Sequence, residues 1–299
     1  MSAANGSGGE APGGSPISVV MPVGRVDPEL SEQVEALAAQ SHLGPWELVI
    51  SLNTADREHR VALEQSLEPH SDALTVRIVD SSDRRSASHA RNLGARAADG
   101  DLLLFCDSDD IAHRQWIEQL SAALEFYGAV GGYLDEDVLS VPGQEHWRPP
   151  ATPGGLPTFL GHPFLVSANM GVIRSNFEAV GGFDTDLIRG EDIAFSWDLL
   201  ERGIELGYCA EAVMYYRHRK GLSAMMQQHY LYGRGFSQIL ARRGTPGTAG
   251  GATGLSALKP NGQAVARKSF PYFLRRGSIA AGRVVGLVEE RVLRQQGSR

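Results

Sequence analysis

The sequence predicts an α/β fold: a mostly parallel central sheet flanked by helices, with a helical extension at its C-terminal end. Two observations carry this. From residue 17 to about 127, short apolar runs alternate with longer amphipathic ones, the pattern of strands joined by crossover helices. One such run, Leu102-Leu103-Leu104-Phe105-Cys106, stops abruptly at Asp107-Ser108-Asp109-Asp110. Ligands of open parallel sheets bind beyond the carboxyl ends of the strands, so these acids stand where a substrate would arrive.

The candidate strands of this first half are 17–20, 48–51, 76–79 and 102–106. Between the first two, Asp27 suits a helix cap and Pro28 a first turn, and Leu30, Val34, Leu37 and Ala38 repeat at helical spacing. A second helix spans about 57–67, a third begins near Ser86, and a fourth carries Trp116, Leu120 and Leu124 on one face. After Val130 the rhythm changes. A segment rich in Pro and Gly, 141–163, precedes a strand at about 167–173, and irregular segments of that length inside a domain are often functional. A short helix at 175–180, a Gly181-Gly182 turn and a helix at 192–202 follow, then apolar pieces at 206–209 and 213–216 and a long helix at 223–242. The expected organisation is a disordered arm at 1–15, the main domain at 16–243, a flexible linker at 244–264 and a basic helical tail at 265–299.

At 299 residues and 42% hydrophobic, the chain can bury a sizeable core. Its net charge of −7 argues against general nucleic-acid binding. The charge is uneven: residues 265–299 carry eight basic residues against Glu289 and Glu290, which marks the tail as a separate surface. Valines and leucines interleave with its arginines. That pattern is compatible with weak peripheral contact with an anionic membrane, while packing on the domain is the preferred reading. Cys106 and Cys209 each lie in apolar stretches and read as reduced core residues. The first fifteen residues lack the basic start and apolar run of a signal peptide, and no apolar run approaches the ~20 residues of a membrane helix. A cytoplasmic location is the expectation.

Three clusters carry chemistry. Asp107 and Asp109, two apart, face one side of an extended chain and suit a hard divalent cation; a solvated acidic turn is the alternative, and Asp110 alone could cap the next helix. Glu191-Asp192 stands at a helix start, where the helix dipole favours an ionised carboxylate able to accept a proton, or simply a cap. Arg91, in Ser88-His89-Ala90-Arg91-Asn92-Leu93-Gly94, suits a phosphate or the carboxylates; equally, it anchors a loop by salt bridge while Asn92 bonds backbone.

In order and spacing, the opening strand through Pro22, Ala90-Arg91-Asn92-Leu93-Gly94, Gly100-Asp101, the Asp107–Asp110 cluster, Asn169-Met170-Gly171, Gly181-Gly182-Phe183-Asp184 and Glu191-Asp192 together resemble the family 2 glycosyltransferases. The resemblance implies the Rossmann-like GT-A fold and inverting transfer from a nucleotide-sugar donor to a hydroxyl-bearing acceptor, whether saccharide, lipid-linked or small molecule. It further implies that Asp107, with Ser108 beside it, lies against the donor's ribose and that Asp109 ligates Mg²⁺ or Mn²⁺ at the diphosphate. Pro22 and Val23 would line the nucleoside pocket and His218 would supply a later metal ligand. Asp192 would take the acceptor proton, with Glu191 as helper or rival, and Arg219 or Lys220 would neutralise the leaving diphosphate.

The sequence departs from the family where an acidic residue after the second strand touches the base; here Asn53 or Asp56 would substitute, which leaves the base open. The Gln-x-x-Arg-Trp signature of processive synthases is absent, so transfer of single sugars is expected. A haloacid-dehalogenase-type phosphatase would place its Asp-x-Asp on the first strand rather than the fourth, and a nucleotidyltransferase would carry a Gly-rich basic loop after the first strand. A catalytically silent nucleotide-sugar binder is the non-enzyme alternative.

Overall fold

A computed structural model describes residues 15–144, 147–244 and 270–297. The expected N-terminal arm up to residue 14, nearly all of the expected linker and the first residues of the tail lie outside the described residues.

The alternation in the first half forms β1 (Ile17–Val23), α1 (Pro28–Ala38), β2 (Trp46–Leu52), α2 (Arg57–Leu67), β3 (Val76–Asp80), α3 (Ala87–Ala97) and β4 (Leu102–Cys106). There follow β5 (Ile111–Ala112), α4 (Trp116–Ala123), β6 (Ala129–Asp135), the hairpin of β7 (Thr158–Phe159) and β8 (His162–Pro163), β9 (Asn169–Ile173), α5 (Arg174–Ala179) and α6 (Glu191–Glu201). The chain closes with β10 (Leu206–Tyr215), α7 (Leu222–Arg242) and α8 (Phe270–Gly297).

Eight strands form one sheet in the order β3-β2-β1-β4-β9-β6-β10-β5. The β3-β2-β1-β4 half is parallel, as its crossover helices require. Beyond it β9 runs antiparallel to both β4 and β6, while β6 and β10 pair in parallel. The two apolar pieces expected at 206–209 and 213–216 are one strand, β10, whose register shifts between Cys209 and Val213. Asn169 accommodates that irregularity. Its amide donates to Tyr133 O and Ala212 O, both at 2.9 Å, and its carbonyl oxygen accepts from the Trp116 indole at 2.8 Å.

Side chains alternate across the sheet, so two cores form. Val19, Met21, Leu104 and Cys106 pack with α1 and α4, whereas Val20, Leu103 and Phe105 pack on the opposite face against Phe177, Phe183 and Phe195. Cys106 is fully buried, Cys209 half-buried, and both are free thiols. Parity has a consequence for function: Pro22 and Asp107 continue the face of Val20 and Phe105, toward α3 and α6.

Two of the clusters singled out from sequence interlock. Asn92 on α3 donates to Phe183 O at 2.8 Å and accepts from Phe183 N at 2.9 Å, clamping the turn that begins at Gly181-Gly182. Gly182 has φ +75°, and a Cβ there would meet Asn92 Oδ1 at 2.7 Å, so the turn needs glycine. Asn92→Ala leaves two buried backbone groups unpaired and is expected to cost about 2–4 kcal/mol of stability, read by denaturant unfolding. An effect under about 0.5 kcal/mol would show that the clamp contributes little.

The tail helix packs on the domain, as preferred from sequence. Glycines make this close: a Cβ on Gly233 of α7 would meet Ile279 O, and one on Gly282 of α8 would meet Tyr230 O, at 2.1 and 2.0 Å. Ion pairs Arg234–Glu289 (2.7 Å) and Arg242–Glu290 (2.9 Å) flank the contact. No helix among the described residues is long and apolar enough to cross a membrane.

Candidate active site

A cleft of about 530 Å³ opens over the carboxyl ends of β1 and β4, walled by α3, the start of α6, the 148–168 segment, the 216–219 segment, α7 and α8. It gathers most residues of the three clusters.

At its floor, one carboxylate oxygen each of Asp107, Asp109 and Asp110 lies within 4.8 Å of the others. Asp110 caps no helix. It is fully buried, its Oδ1 accepts from Arg217 N at 2.7 Å, and its Oδ2 has no hydrogen-bond partner. The next helix, α4, starts only at Trp116, with Gln115 at its cap. Burial, with Asp107 and Asp109 close by, pushes the Asp110 carboxyl well above the usual range. Desolvation in the cleft and the Asp107 charge push Asp109 up to about 6. Three crowded carboxylates of which one has an orphaned buried oxygen are a costly arrangement for a chain alone. Hard oxygen donors in that number match the preference of Mg²⁺ or Mn²⁺, so the residues fit such an ion.

Arg91, 3% exposed, is held between two carboxylates. Its Nη2 pairs with Asp107 at 2.5 Å and its Nη1 with Glu191 at 3.2 Å, joining the β4 edge to the start of α6. Glu191 is thereby engaged. Asp192, the next residue, forms no ion pair among the described residues; its Oδ1 accepts from Ile193 N at 2.8 Å. Burial and the adjacent Glu191 outweigh the helix dipole and raise Asp192 to about 7.

Other expected site residues fall differently. Pro22 and Ser108 line the cleft. Val23 does not: as a β1 residue of opposite parity to Pro22 it is wholly buried in the core beneath α1, and Gly24 takes the place beside the cleft. Asn53 is in the wall, but its amide is spent on backbone, donating to Ser81 O and to Arg84 O (2.7 Å) and accepting from Ser86 N (3.0 Å). Asp56 caps α2 by accepting from Glu58 N. His218 lines the cleft, yet its Nε2 sits 2.9 Å from Glu136 Oε1 and it lies outside the acidic cluster. Lys220 pairs with Glu29 at 3.5 Å, whereas Arg219 is exposed in the cleft wall.

Several lining residues were not singled out from sequence: Arg148 from the Pro-rich segment, Gln228, His229 and Tyr232 from α7, and Arg275 from α8. Only the irregular length of 141–163 and the basic tail pointed toward any of them. Their meeting depends on α7 and α8 docking.

A sheet with this strand order, holding its cleft over the parallel half and acids at the end of β4, is the GT-A architecture of glycosyltransferases. Residues 18–181 match the profile of glycosyl transferase family 2, which is more than half the chain, and the chain belongs to that family. The match ends before Glu191 and Asp192. The pre-mycofactocin glycosyltransferase of Mycobacterium tuberculosis is 27% identical over 185 residues, covering 56% of this chain and 37% of that protein. This chain therefore spans well under two thirds of that relative's length. Among solved structures, the mannosyltransferase PcManGT of Pyrobaculum calidifontis, in complex with GDP-Man and Mn²⁺, aligns with a TM-score of 0.57 at 18% identity, over 94% of this chain and 79% of that one. S. aureus TarS in complex with UDP-GlcNAc aligns at 0.53 and 14% identity, over 76% and 73%. At these identities the likeness is one of fold.

Proposed function

We propose that the chain is a metal-dependent, inverting, non-processive glycosyltransferase that moves a sugar from a nucleotide-diphosphate donor to an acceptor hydroxyl. The observation that carries this is the joining, in one cleft and through Arg91, of an acidic cluster at the end of β4 to Glu191, whose neighbour Asp192 is a partly buried carboxylate raised to about 7. Pro22 and Asn53 border the nucleoside pocket, and Asp107 and Ser108 lie toward the ribose. Asp109 and Asp110 hold the Mg²⁺ or Mn²⁺, with Asp107 beside them; His218 joins only by leaving Glu136. When bound, that cation stabilises negative charge on the diphosphate.

A sugar hydroxyl is a poor nucleophile at neutral pH. Asp192 accepts its proton as the oxygen attacks the anomeric carbon, and the bond to the diphosphate breaks on the opposite face, inverting the centre. Glu191, held by Arg91, keeps the Asp192 carboxyl raised rather than acting itself. Arg219, near Asp109 and without an ion-pair partner among the described residues, neutralises the leaving diphosphate. No covalent intermediate on the enzyme is needed. Solved structures of the same fold hold GDP-Man in one case and UDP-GlcNAc in another, so the base is left to experiment. Thermal-shift screening of nucleotide sugars with Mn²⁺ tests donor binding, because a bound donor stabilises the native state by mass action. Stabilisation by at least one donor, abolished by chelation, is expected; no shift with any donor would oppose the reading.

For the tail we propose peripheral contact with an anionic membrane. Its inner face docks through glycine, while Phe273, Val284, Leu287, Val288 and Val292 stay exposed on the outside, with Arg276 and Arg291 alongside. An apolar face bordered by arginines matches an anionic lipid surface. The full chain is expected to sediment with phosphatidylglycerol vesicles and not with phosphatidylcholine, and Val284→Asp with Val288→Asp to abolish this. Unchanged vesicle binding in the double variant would remove the idea, as would a self-associated chain that the variant converts to a monomer.

A further inference from the structure

The end of the cleft formed by the 148–168 segment, α7 and α8 carries two arginines, Arg148 and Arg275, that form no ion pair among the described residues. Arg148 is 9% exposed, and its Nε and Nη1 have no hydrogen-bond partner; its Nη2 reaches only Arg219 O, at 3.4 Å. Arg275 comes from α8 and donates Nε to His229 Nε2 at 2.9 Å. That imidazole is neutral by geometry. Its Nδ1 lies 2.8 Å from Met225 O and must donate there, which leaves Nε2 as the acceptor for Arg275. Burial and the nearby arginines keep it so, lowering His229 to about 4. Among the described residues, Glu136 is the carboxylate whose charge both guanidiniums feel, but its oxygens are engaged by His218 (2.9 Å) and by Ala151 N (2.7 Å).

A buried arginine with two unpartnered nitrogens and no ion pair among the described residues is costly to the fold unless a ligand engages it. A second orphan lies beside the pair. Gln228 Oε1 is buried and unpartnered, while its Nε2 donates to the Tyr232 hydroxyl at 3.1 Å. Tyr232 in turn feels the charges of Asp192 and Glu191, which puts this corner on the side of the proton acceptor. On the proposed reading the donor's phosphates would be met by the cation held at the acidic cluster and by Arg219.

We infer that Arg148 and Arg275 form a subsite for an anionic group on the acceptor, a carboxylate or a phosphate, with Gln228 Oε1 accepting from one of the acceptor's hydroxyls. This rests on the glycosyl-transfer reading and narrows its acceptor to hydroxyl compounds that carry a negative charge. The guanidinium forks hold the anion, Gln228 orients the carbon chain, and a further hydroxyl is presented to Asp192. Because Arg275 belongs to α8, the subsite is complete only when the tail helix is docked on α7.

The test uses the full chain saturated with Mn²⁺ and whichever nucleoside diphosphate binds. Matched probes, glycerol phosphate and glycerate against glycerol, and glucuronate against glucose, are titrated calorimetrically. In the wild type at least one anionic probe is expected to bind about tenfold or more tighter than its neutral partner. Arg148→Gln and Arg275→Gln are each expected to erase about tenfold of that advantage while holding nucleoside diphosphate affinity within about twofold. A wild type that binds no anionic probe, or binds neutral partners equally well, overturns the subsite without any variant having to fold. Variants that keep the anionic preference also overturn it. Loss of nucleoside diphosphate affinity equal to the loss of probe affinity would assign the arginines to the donor instead. A wild type that binds no nucleoside diphosphate at all removes the transferase reading, and the subsite falls with it.

Discussion

Asp192→Asn is expected to leave nucleotide-donor affinity within about twofold and to lower turnover by about 10²–10⁴, the usual contribution of a positioned general base. Asp192 lines the cleft within electrostatic reach of Tyr232 and forms no ion pair among the described residues. The pH profile supplies an independent check. Its carboxyl titrates at about 7, raised by burial first and by Glu191 second, and only the ionised form accepts a proton. The wild-type kcat/KM should therefore fall about tenfold per unit below pH 7 and level off above it. Glu191→Gln removes one like charge and should move that limb to lower pH while keeping turnover at pH 8. An unmoved limb with turnover lost would make Glu191 the base.

The same shift affects stability. A carboxyl whose folded pKa lies above its unfolded value of about 3.8 contributes stability that is present below pH 4 and lost as pH rises through 7. The ligand-free Asp192→Asn variant should thus melt a few degrees higher than wild type at pH 8, roughly 2–4 °C for each kcal/mol gained, with the difference shrinking toward pH 5. On the proposed reading, function at this position is held against stability.

The second large effect is on the acidic cluster. Asp109→Ala should weaken Mn²⁺-dependent donor binding by more than the about 10–100-fold that loss of an outer partner of a metal ligand costs. Donor binding measured in chelator should be equally weak in variant and wild type. Calorimetry with and without Mn²⁺ reads both. Equal donor affinity in Asp109→Ala and wild type at saturating Mn²⁺ would exclude this aspartate as a ligand. Without metal, the variant should also be the more stable protein at pH 8, since one of three crowded charges is gone.

The parallel half of the sheet could be read from sequence because its signals are local. The short, continuously apolar runs of β1 and β4, the Pro28 start of α1 and the helix starts near Arg57 and Ser86 each depend on a few neighbouring residues. The acidic end of β4 was legible for the same reason. Parity could have placed Val23 as well. It belongs to the face of Val19 and Met21, so a strand extended by three residues turns it into the core. Contacts between distant segments were not legible. Asn53 looks like a base contact until the 81–86 backbone folds over it. The break inside β10 hides a single strand because Asn169, some forty residues earlier, bonds the irregular segment. Arg148 and Arg275 lie far apart in sequence, one in a Pro-rich segment and one in a tail that read as a separate surface. Glycine at 233 and 282 brings them to the same cleft by letting α7 and α8 touch backbone to backbone. Single glycines in helical stretches carry no such message in advance.

Arg91 shows the reverse case. Sequence left it between phosphate, carboxylate and a loop-anchoring salt bridge, and its two ion pairs engage Glu191 but not the adjacent Asp192. One is neutralised and fixed; the other is unpaired and titrates near neutrality.

The most direct test of sugar transfer is release of nucleoside diphosphate from a panel of nucleotide sugars by the full chain with Mn²⁺, with anionic hydroxyl compounds as acceptors. Release from at least one donor, abolished by chelation and by Asp192→Asn, is the predicted result. Tight donor binding with no release from any donor, with or without acceptor, would contradict it and leave a nucleotide-sugar binding protein of the same fold.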